Sequence, residues 1–284
     1  MFIAPGCLLN GRLGDMKKKL EILQNEVSKM ANTLVAFSGG VDSTLLAKLA
    51  LDILGKKATA VIVTSPTLPD RELQEAREIA ALIGIELIEM QSDEIDLPEY
   101  YINSDQRCYV CKDHRYRMLR KYAAQNDFHT ILDGSNADDL SDFRPGHKAV
   151  KELGVRSLLQ EAGFSKAEIR KLAKEMDLPN WDKPSSACLA SRIPYGIKIT
   201  LDQLTQISRA EEFLYQLGYR QLRVRHHGDI ARLEVPPEDF NKLLNDREQI
   251  NQKLIEIGYS YITLDIRGFR SGSLNEGIKK NGSN

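Results

Sequence analysis

Thr33-Leu34-Val35-Ala36-Phe37-Ser38-Gly39-Gly40-Val41-Asp42-Ser43-Thr44-Leu45-Leu46-Ala47-Lys48-Leu49-Ala50 joins one apolar run to another through two adjacent glycines. The first run is rich in residues that favour a strand, and the second has the length and composition of a helix. Paired glycines permit positive φ and let a phosphate approach the backbone. Hydroxyls and amides at the opening of a helix supply donors and a favourable dipole. The stretch predicts strand, phosphate-binding turn and helix, and therefore a nucleotide site at residues 38–43. It lacks the Gly-Lys-Ser/Thr ending of a Walker loop and the Gly-x-Gly-x-x-Gly of a dinucleotide fold. The bland alternative, a turn that merely joins strand to helix, leaves six chemically apt positions unexplained.

The pattern repeats outward from this loop. Leu20, Leu23, Val27 and Met30 recur at helical spacing, so residues 16–31 read as an amphipathic helix. Residues 58–63 read as a buried strand, 70–83 as a helix, 85–88 as a strand, a segment from about Lys112 through 125 as a helix, and 130–132 as a short strand. Alternating strands and helices imply right-handed crossovers and an α/β fold with a doubly wound parallel sheet, whose ligand crevice lies beyond the carboxyl ends of the strands. From about Thr200 the order becomes helix (201–217), strand (221–226), strand (230–235), helix (237–257) and strand (260–265). This predicts a smaller antiparallel α+β domain. Leu222-Arg223-Val224-Arg225 and Ala231-Arg232-Leu233-Glu234 alternate apolar with charged residues, which predicts one covered face and one open, charged face. Gly218 and Gly258 read as helix C-cap glycines. The resulting division is a loose leader at 1–15, a nucleotide domain at 16–199, a C-terminal domain at 200–270 for substrate binding or oligomerisation, and a disordered Gly, Asn, Ser and Lys-rich tail at 271–284.

A chain of 284 residues accommodates two modest domains. No apolar run approaches the ~20 residues of a membrane span, and the first residues carry no basic leader, so a cytoplasmic protein without membrane contact is expected. The 39 basic and 40 acidic side chains balance, which removes any general electrostatic pull toward nucleic acid.

Cys108 and Cys111 form a Cys-x-x-Cys pair, and Cys188 lies in Pro184-Ser185-Ser186-Ala187-Cys188-Leu189-Ala190-Ser191-Arg192. With no export signal, disulfides are the less natural use. Three thiolates fit a [4Fe-4S] cluster with one open iron, or zinc with His114 completing the set, or simple reduced or redox-active cysteines. The remaining cysteine, Cys7, carries no signal. Leu132-Asp133-Gly134-Ser135-Asn136-Ala137-Asp138-Asp139 continues a strand into a carboxylate-rich turn that suits Mg²⁺ or merely caps a helix, and Asp142-Phe143-Arg144-Pro145-Gly146 follows it. Arg156, Arg192, Arg223 and Arg225 are forked donors suited to anions.

The glycine loop resembles the PP-loop, Ser-Gly-Gly-x-Asp-Ser, of adenine nucleotide alpha hydrolase-like enzymes that split ATP to AMP and pyrophosphate. Together with Asp142 through Gly146, Arg156-Ser157-Leu158-Leu159-Gln160-Glu161-Ala162, Ala187-Cys188-Leu189-Ala190-Ser191-Arg192-Ile193-Pro194-Tyr195-Gly196 and Arg223-Val224-Arg225, it resembles the LarE family over roughly residues 16–275. These are ATP-dependent sulfur transferases that make the organic part of the nickel-pincer nucleotide cofactor of lactate racemase. The resemblance implies adenylation of a carboxylate of pyridinium-3,5-biscarboxylic acid mononucleotide with ATP and Mg²⁺, followed by conversion to the thiocarboxylate. In one branch a single cysteine gives up its sulfur and ends as dehydroalanine. The extra Cys108 and Cys111 depart from that branch and resemble members in which a [4Fe-4S] cluster on three cysteines holds the transferable sulfide.

By the same resemblance, Ser38, Gly39, Gly40, Asp42 and Ser43 hold pyrophosphate, with Asp42 near Mg²⁺. Ser65 faces adenosine, and Arg144 lies in a loop closing over ATP. Ser191, Arg192, Arg223 and Arg225 hold the phosphate of the mononucleotide. Lys112 is a basic residue of that pocket, and Cys188, Asp42 and Lys112 carry the chemistry. Glu211, Glu234 and Asp239 match a second divalent-metal site, for which structural ion pairs are the alternative. A homo-oligomer and an unidentified sulfide donor complete the picture. Three rival readings remain: a PP-loop tRNA thiolase, an amidotransferase-type ATP pyrophosphatase, which has no use for three thiols, and a non-enzymatic zinc or nucleotide-binding module.

Overall fold

The computed structural model describes residues 5–141, 146–184, 186–270 and 272–276. Arg144 and its neighbours 142, 143 and 145 lie outside the described residues, as do Ser271 and residues 277–284 of the tail. In chain order the elements are α1 (Pro5–Ser28), β1 (Thr33–Ala36), α2 (Val41–Leu54), β2 (Ala58–Thr64), α3 (Asp70–Ile83), β3 (Leu87–Gln91), α4 (Pro98–Tyr101), α5 (Arg107–Gln125), β4 (Thr130–Leu132), α6 (Gly146–Glu152), α7 (Leu158–Glu161), α8 (Lys166–Glu175), α9 (Leu201–Gln216), β5 (Arg223–His227), β6 (Ile230–Glu234), α10 (Phe240–Asn245), α11 (Arg247–Ile257) and β7 (Tyr261–Leu264). Among the described residues, no helix is long and apolar enough to cross a membrane.

The chain forms two compact units. The first runs to Thr64 and adds Glu72–Glu94 and Cys108–Ser185. Its sheet has the order β3-β2-β1-β4 with every pair parallel, so the expected α/β architecture holds. Val35 on β1 lies beside Ala60 on one side and Leu132 on the other. The chain therefore builds outward from β1 in one direction through β2 and β3, then returns to its other side with β4. A crevice opens beyond such a reversal point, and residues 38–43 follow β1 there. Leu34, Val61 and Ile131 of the sheet bury against Leu119 and Ala123 of α5 and Val150 of α6.

The second unit comprises Ser65–Arg71, Ile95–Arg107 and the chain from Ser186 onward. It thus begins before the expected boundary at residue 200 and takes the Cys188 stretch with it. Its sheet is β5-β6-β7, with β5 antiparallel to β6 but β6 parallel to β7. The purely antiparallel reading is corrected here: α10 and α11 carry the chain back to the starting end of β6, which makes the β6–β7 pair parallel. Val224, Leu233, Leu214, Tyr219 and Leu254 form the core. The expectation of an open charged face is also overturned. Arg223, Arg225 and Glu234 are all buried: Arg225 forks onto Glu234, and Arg223 donates to the Arg270 carbonyl.

Several boundaries differ for local reasons. α1 begins at Pro5, so residues 5–15 are helical rather than a loose leader. β3 starts at Leu87 because Gly84 adopts φ +80°, and both Gly84 and Ile85 donate back to Ala80 O, which draws Ile85 into the helix exit. The long helix expected over 237–257 is interrupted at Asp246, whose carboxylate accepts from Tyr219 and Lys242 while its backbone carbonyl accepts from the Ile250 amide of the restarted helix. Part of the tail is ordered as a turn at Ser273–Glu276.

Candidate functional site

The loop after β1 is closed by its own side chains. Ser43 Oγ donates to Gly40 O (3.0 Å), accepts from the Ser38 amide (3.2 Å) and lies 3.1 Å from Ser38 Oγ. Gly39 has φ +68°, and a Cβ there would sit 2.9 Å from Cβ of Ala76 on α3. Glycine is required at that position twice over, by conformation and by space. Gly134, past the end of β4, approaches as closely: its Cβ would lie 3.0 Å from the Ser43 amide. Asn180 braces the loop from behind, its Nδ2 donating to Gly39 O and to Thr44 Oγ1, both at 2.9 Å. The first turn of α2 therefore presents its amides and positive dipole end in a fixed frame.

Asp42 stands in that first turn. Its Oδ2 pairs with Lys166 Nζ at 2.5 Å, while its Oδ1 is buried with no hydrogen-bond partner. Burial pushes the carboxyl above the ordinary aspartate range, with Asp139 adding to the rise and Lys166 opposing it. An under-coordinated carboxylate oxygen of this kind suits a hard cation that takes its remaining ligands from phosphate and water. The acidic turn after β4 divides its carboxylates. Asp133 faces inward and accepts from Ser135, Ser157 and Tyr116, which is a structural role. Asp138 accepts from the Lys166 amide and Asp139 from the Asn136 amide. Ser65 follows β2, with its hydroxyl 2.8 Å from Thr67 Oγ1.

Cys108 is exposed and Cys111 half-buried in the first turns of α5, with Lys112 half-buried beside them in sequence. Cys188 is exposed and immediately precedes a 3-10 turn at Leu189–Arg192. None of the three is in a disulfide, so the donor chemistry for a soft metal is present. Among the described residues, no three His, Cys, Asp or Glu side chains gather closely enough to hold a metal ion. His114 is engaged elsewhere, its Nε2 lying 2.6 Å from Asp93 Oδ1. Cys7 falls on α1.

The arginines sort themselves by partner. Arg192 forks onto Glu211 (2.8 and 2.9 Å), and Arg225 onto Glu234 (3.0 and 3.1 Å). Glu211 also accepts from the Val224 amide, and Glu234 from Arg232. Both glutamates are therefore committed to buried ion pairs, and Asp239, half-buried at the end of a 3-10 turn, is not gathered with them into a metal site. Arg223 differs. It donates to Arg270 O, lies 4.4 Å from the Phe269 ring centre, and forms no ion pair among the described residues. Burial and the neighbouring Arg225 and Arg192 push its pKa down to about 10. An unneutralised buried guanidinium is a natural anion receptor. Ser191 Oγ accepts from Arg192 at 3.0 Å.

Sequence reasoning did not single out Lys166, Asn180, Asn103 or Arg107. Only Lys166 left a trace, as the residue following Ser165 in the capping box Ser165-x-x-Glu168 that opens α8.

Residues 13–143 match the family model described as a PP-loop domain. The chain is 39% identical to the pyridinium-3,5-bisthiocarboxylic acid mononucleotide synthase of Lactiplantibacillus plantarum, over 94% of this chain and 98% of that protein. It is 42% identical to an uncharacterized protein of Synechocystis sp., over 93% of this chain and 100% of the relative. An uncharacterized protein of Methanocaldococcus jannaschii is 27% identical over 90% of this chain and 98% of its own.

Proposed function

Because the chain belongs to the LarE family of PP-loop, ATP-dependent sulfurtransferases, we propose that it converts a carboxylate of pyridinium-3,5-biscarboxylic acid mononucleotide into the thiocarboxylate. The chain is an enzyme of the sulfurtransferase class with an ATP-binding domain. The observation that carries the substrate assignment is 39% identity to the Lactiplantibacillus synthase over 94% of this chain, a span that includes both units.

A carboxylate is a poor electrophile, so its oxygen first attacks the α-phosphorus of ATP and pyrophosphate departs. A sulfur nucleophile then adds to the acyl carbon, and AMP leaves with the former carboxylate oxygen. For the first step, the Gly39 and Gly40 amides, the α2 terminus and the hydroxyls of Ser38 and Ser43 bind the departing pyrophosphate. Asp42 Oδ1 would hold Mg²⁺, which would supply positive charge against the phosphates. Lys166 supplies a positive charge one ion pair away. Ser65 contacts adenosine, and Arg144 belongs to the covering loop. Arg223 takes the phosphate of the mononucleotide, and Ser191 and Lys112 are further proposed contacts to the same substrate. Arg192 and Arg225, expected in the same role, instead serve it through the buried pairs that hold their surroundings.

For the second step, Cys108, Cys111 and Cys188 would hold a [4Fe-4S] cluster, which would supply the transferable sulfide. Three cysteines outside any disulfide, two of them exposed, support this assignment. Direct donation from Cys188 is the second reading, favoured by its exposure at the head of a turn. A homo-oligomer with an external sulfide donor belongs to the same proposal. The test is anaerobic incubation with ATP, Mg²⁺ and sulfide, given either the pyridinium dicarboxylate mononucleotide or bulk tRNA. AMP, pyrophosphate and thiocarboxylate from the mononucleotide alone are expected. Thiolated tRNA, or pyrophosphate release without sulfur incorporation, contradicts the assignment.

A further inference from the structure

The turn that carries Cys188 has almost no regular structure of its own, yet its backbone is held at nearly every residue. Arg192 Nη1 donates to Ala187 O (2.8 Å) and Cys188 O (3.3 Å) while the rest of its guanidinium grips Glu211. The Leu189 amide donates to Thr67 O (2.8 Å), and Arg225 Nη1 donates to Ser191 O (2.5 Å). Arg107 Nη1 donates to Ala190 O (3.0 Å) and to Asn103 Oδ1 (2.5 Å). Asn103 then spans the following segment: its Nδ2 donates to Pro194 O (2.8 Å), Ile197 O (3.0 Å) and Ile193 O (3.4 Å), and its own carbonyl accepts from the Gly196 amide (2.9 Å).

These braces are buried and specific. Arg107, Arg192 and Arg225 are 2%, 5% and 3% exposed, and Asn103 is fully buried at φ +58°, a conformation asparagine tolerates better than most residues. Leu189, Ala190 and Ile193 beside Cys188 are equally buried, so the thiol is the exposed group on an otherwise immobilised turn. Burying several guanidinium groups to hold backbone carbonyls is an expensive way merely to close a loop, since a few apolar side chains achieve the same burial. The return is fixed placement of one group, which group-transfer chemistry demands to within a fraction of an ångström.

We infer that Asn103 and Arg107 are positioning residues for Cys188, which with the Arg192–Glu211 pair pin the turn so that its thiol is presented at one place for the sulfur-transfer step. The geometry stands by itself, and the catalytic consequence rests on the proposed sulfur chemistry.

The test compares Arg107→Met and Arg107→Lys with the native chain in two readouts. The first is amide hydrogen exchange of residues 187–197, with β1 as internal reference. The second is pyrophosphate release against thiocarboxylate formation from the mononucleotide. Arg107→Met is expected to speed exchange in 187–197 alone and to lower thiocarboxylate formation by about tenfold or more with pyrophosphate release retained, as loss of positioning requires. Arg107→Lys, which keeps the charge and one donor, is expected to fall between the two and guards against a methionine variant that does not fold. Unchanged exchange, unchanged sulfur transfer, or parallel loss of both steps overturns the inference. If the native enzyme transfers no sulfur, the proposed function fails, while the exchange readout still decides whether Arg107 pins the turn.

Discussion

Lys166 at the start of α8 neutralises only one oxygen of Asp42 in the first turn of α2, and the other oxygen is left buried and unpartnered. A carboxylate that were purely structural would have both oxygens satisfied, since an unmet buried acceptor costs about 1–3 kcal/mol. The pair instead holds a half-coordinated anion at the mouth of a loop that binds phosphate. In the proposed reaction, Mg²⁺ and the phosphates would complete the coordination of this oxygen.

Asp42→Asn removes the charge without removing the shape. Pyrophosphate release is expected to fall by about 100-fold or more, the scale of losing a preorganised charge at a reacting phosphate, with little change in thermal unfolding. Lys166→Met is expected to weaken ATP binding and leave the mononucleotide affinity alone. Calorimetric titration with each ligand reads both.

Gly39→Ala meets two obstacles at once, a positive φ and a Cβ placed 2.9 Å from Ala76. The expected result is loss of stability by about 1–3 kcal/mol, typical of strain at a sparsely populated backbone conformation, together with loss of ATP binding. Denaturant unfolding and nucleotide titration check the two effects. Gly55→Ala, also at positive φ but with open space around its Cβ, is the control that keeps ATP binding.

Arg192 and Arg223 should respond in opposite ways. Arg192→Met strands Glu211 as an uncompensated buried charge, which costs about 3–5 kcal/mol. Arg223→Met removes a cation that has no carboxylate partner, so the fold should keep or gain stability while the thermal stabilisation given by the mononucleotide disappears. The depressed pKa of Arg223 fixes the sign of the pH effect. Without ligand, the folded state releases the proton at lower pH than the unfolded chain, so stability rises with pH through the window beginning near 10, and anion binding fades through the same window. Thermal shifts measured with and without the mononucleotide across that range test both signs.

Changing Cys108, Cys111 or Cys188 to Ala should abolish iron and labile sulfide content and sulfur transfer together, leaving adenylation intact because the glycine loop is built from separate residues. Cys7→Ala should change neither. Metal analysis of anaerobically purified variants decides.

The strand, loop and helix around Gly39 were legible because six neighbouring residues encode both the conformation and the chemistry. The parallel sheet followed from the same local rhythm. What escaped the sequence depends on partners far away in the chain. Lys166 reads as an ordinary first residue of a capped helix, and only the packing of α8 on α2 brings its ammonium to Asp42, 124 positions earlier. Arg192 and Arg225 read as phosphate donors because the sequence, while leaving ion pairs open for Glu211 and Glu234, does not reveal which arginine each glutamate takes. Asn103 gives no signal in the sequence, although its amide serves three carbonyls some 90 positions further on. The parallel pairing of β7 was hidden because the break at Asp246 looks like a continuous helix.

The most direct measurement is the amount of thiocarboxylate formed per chain under anaerobic turnover with ATP, Mg²⁺, sulfide and the mononucleotide, followed by intact mass of the protein. The account predicts many products per chain and an unaltered residue 188. Product that stops at one sulfur per chain, with Cys188 lighter by the mass of H₂S, would contradict it.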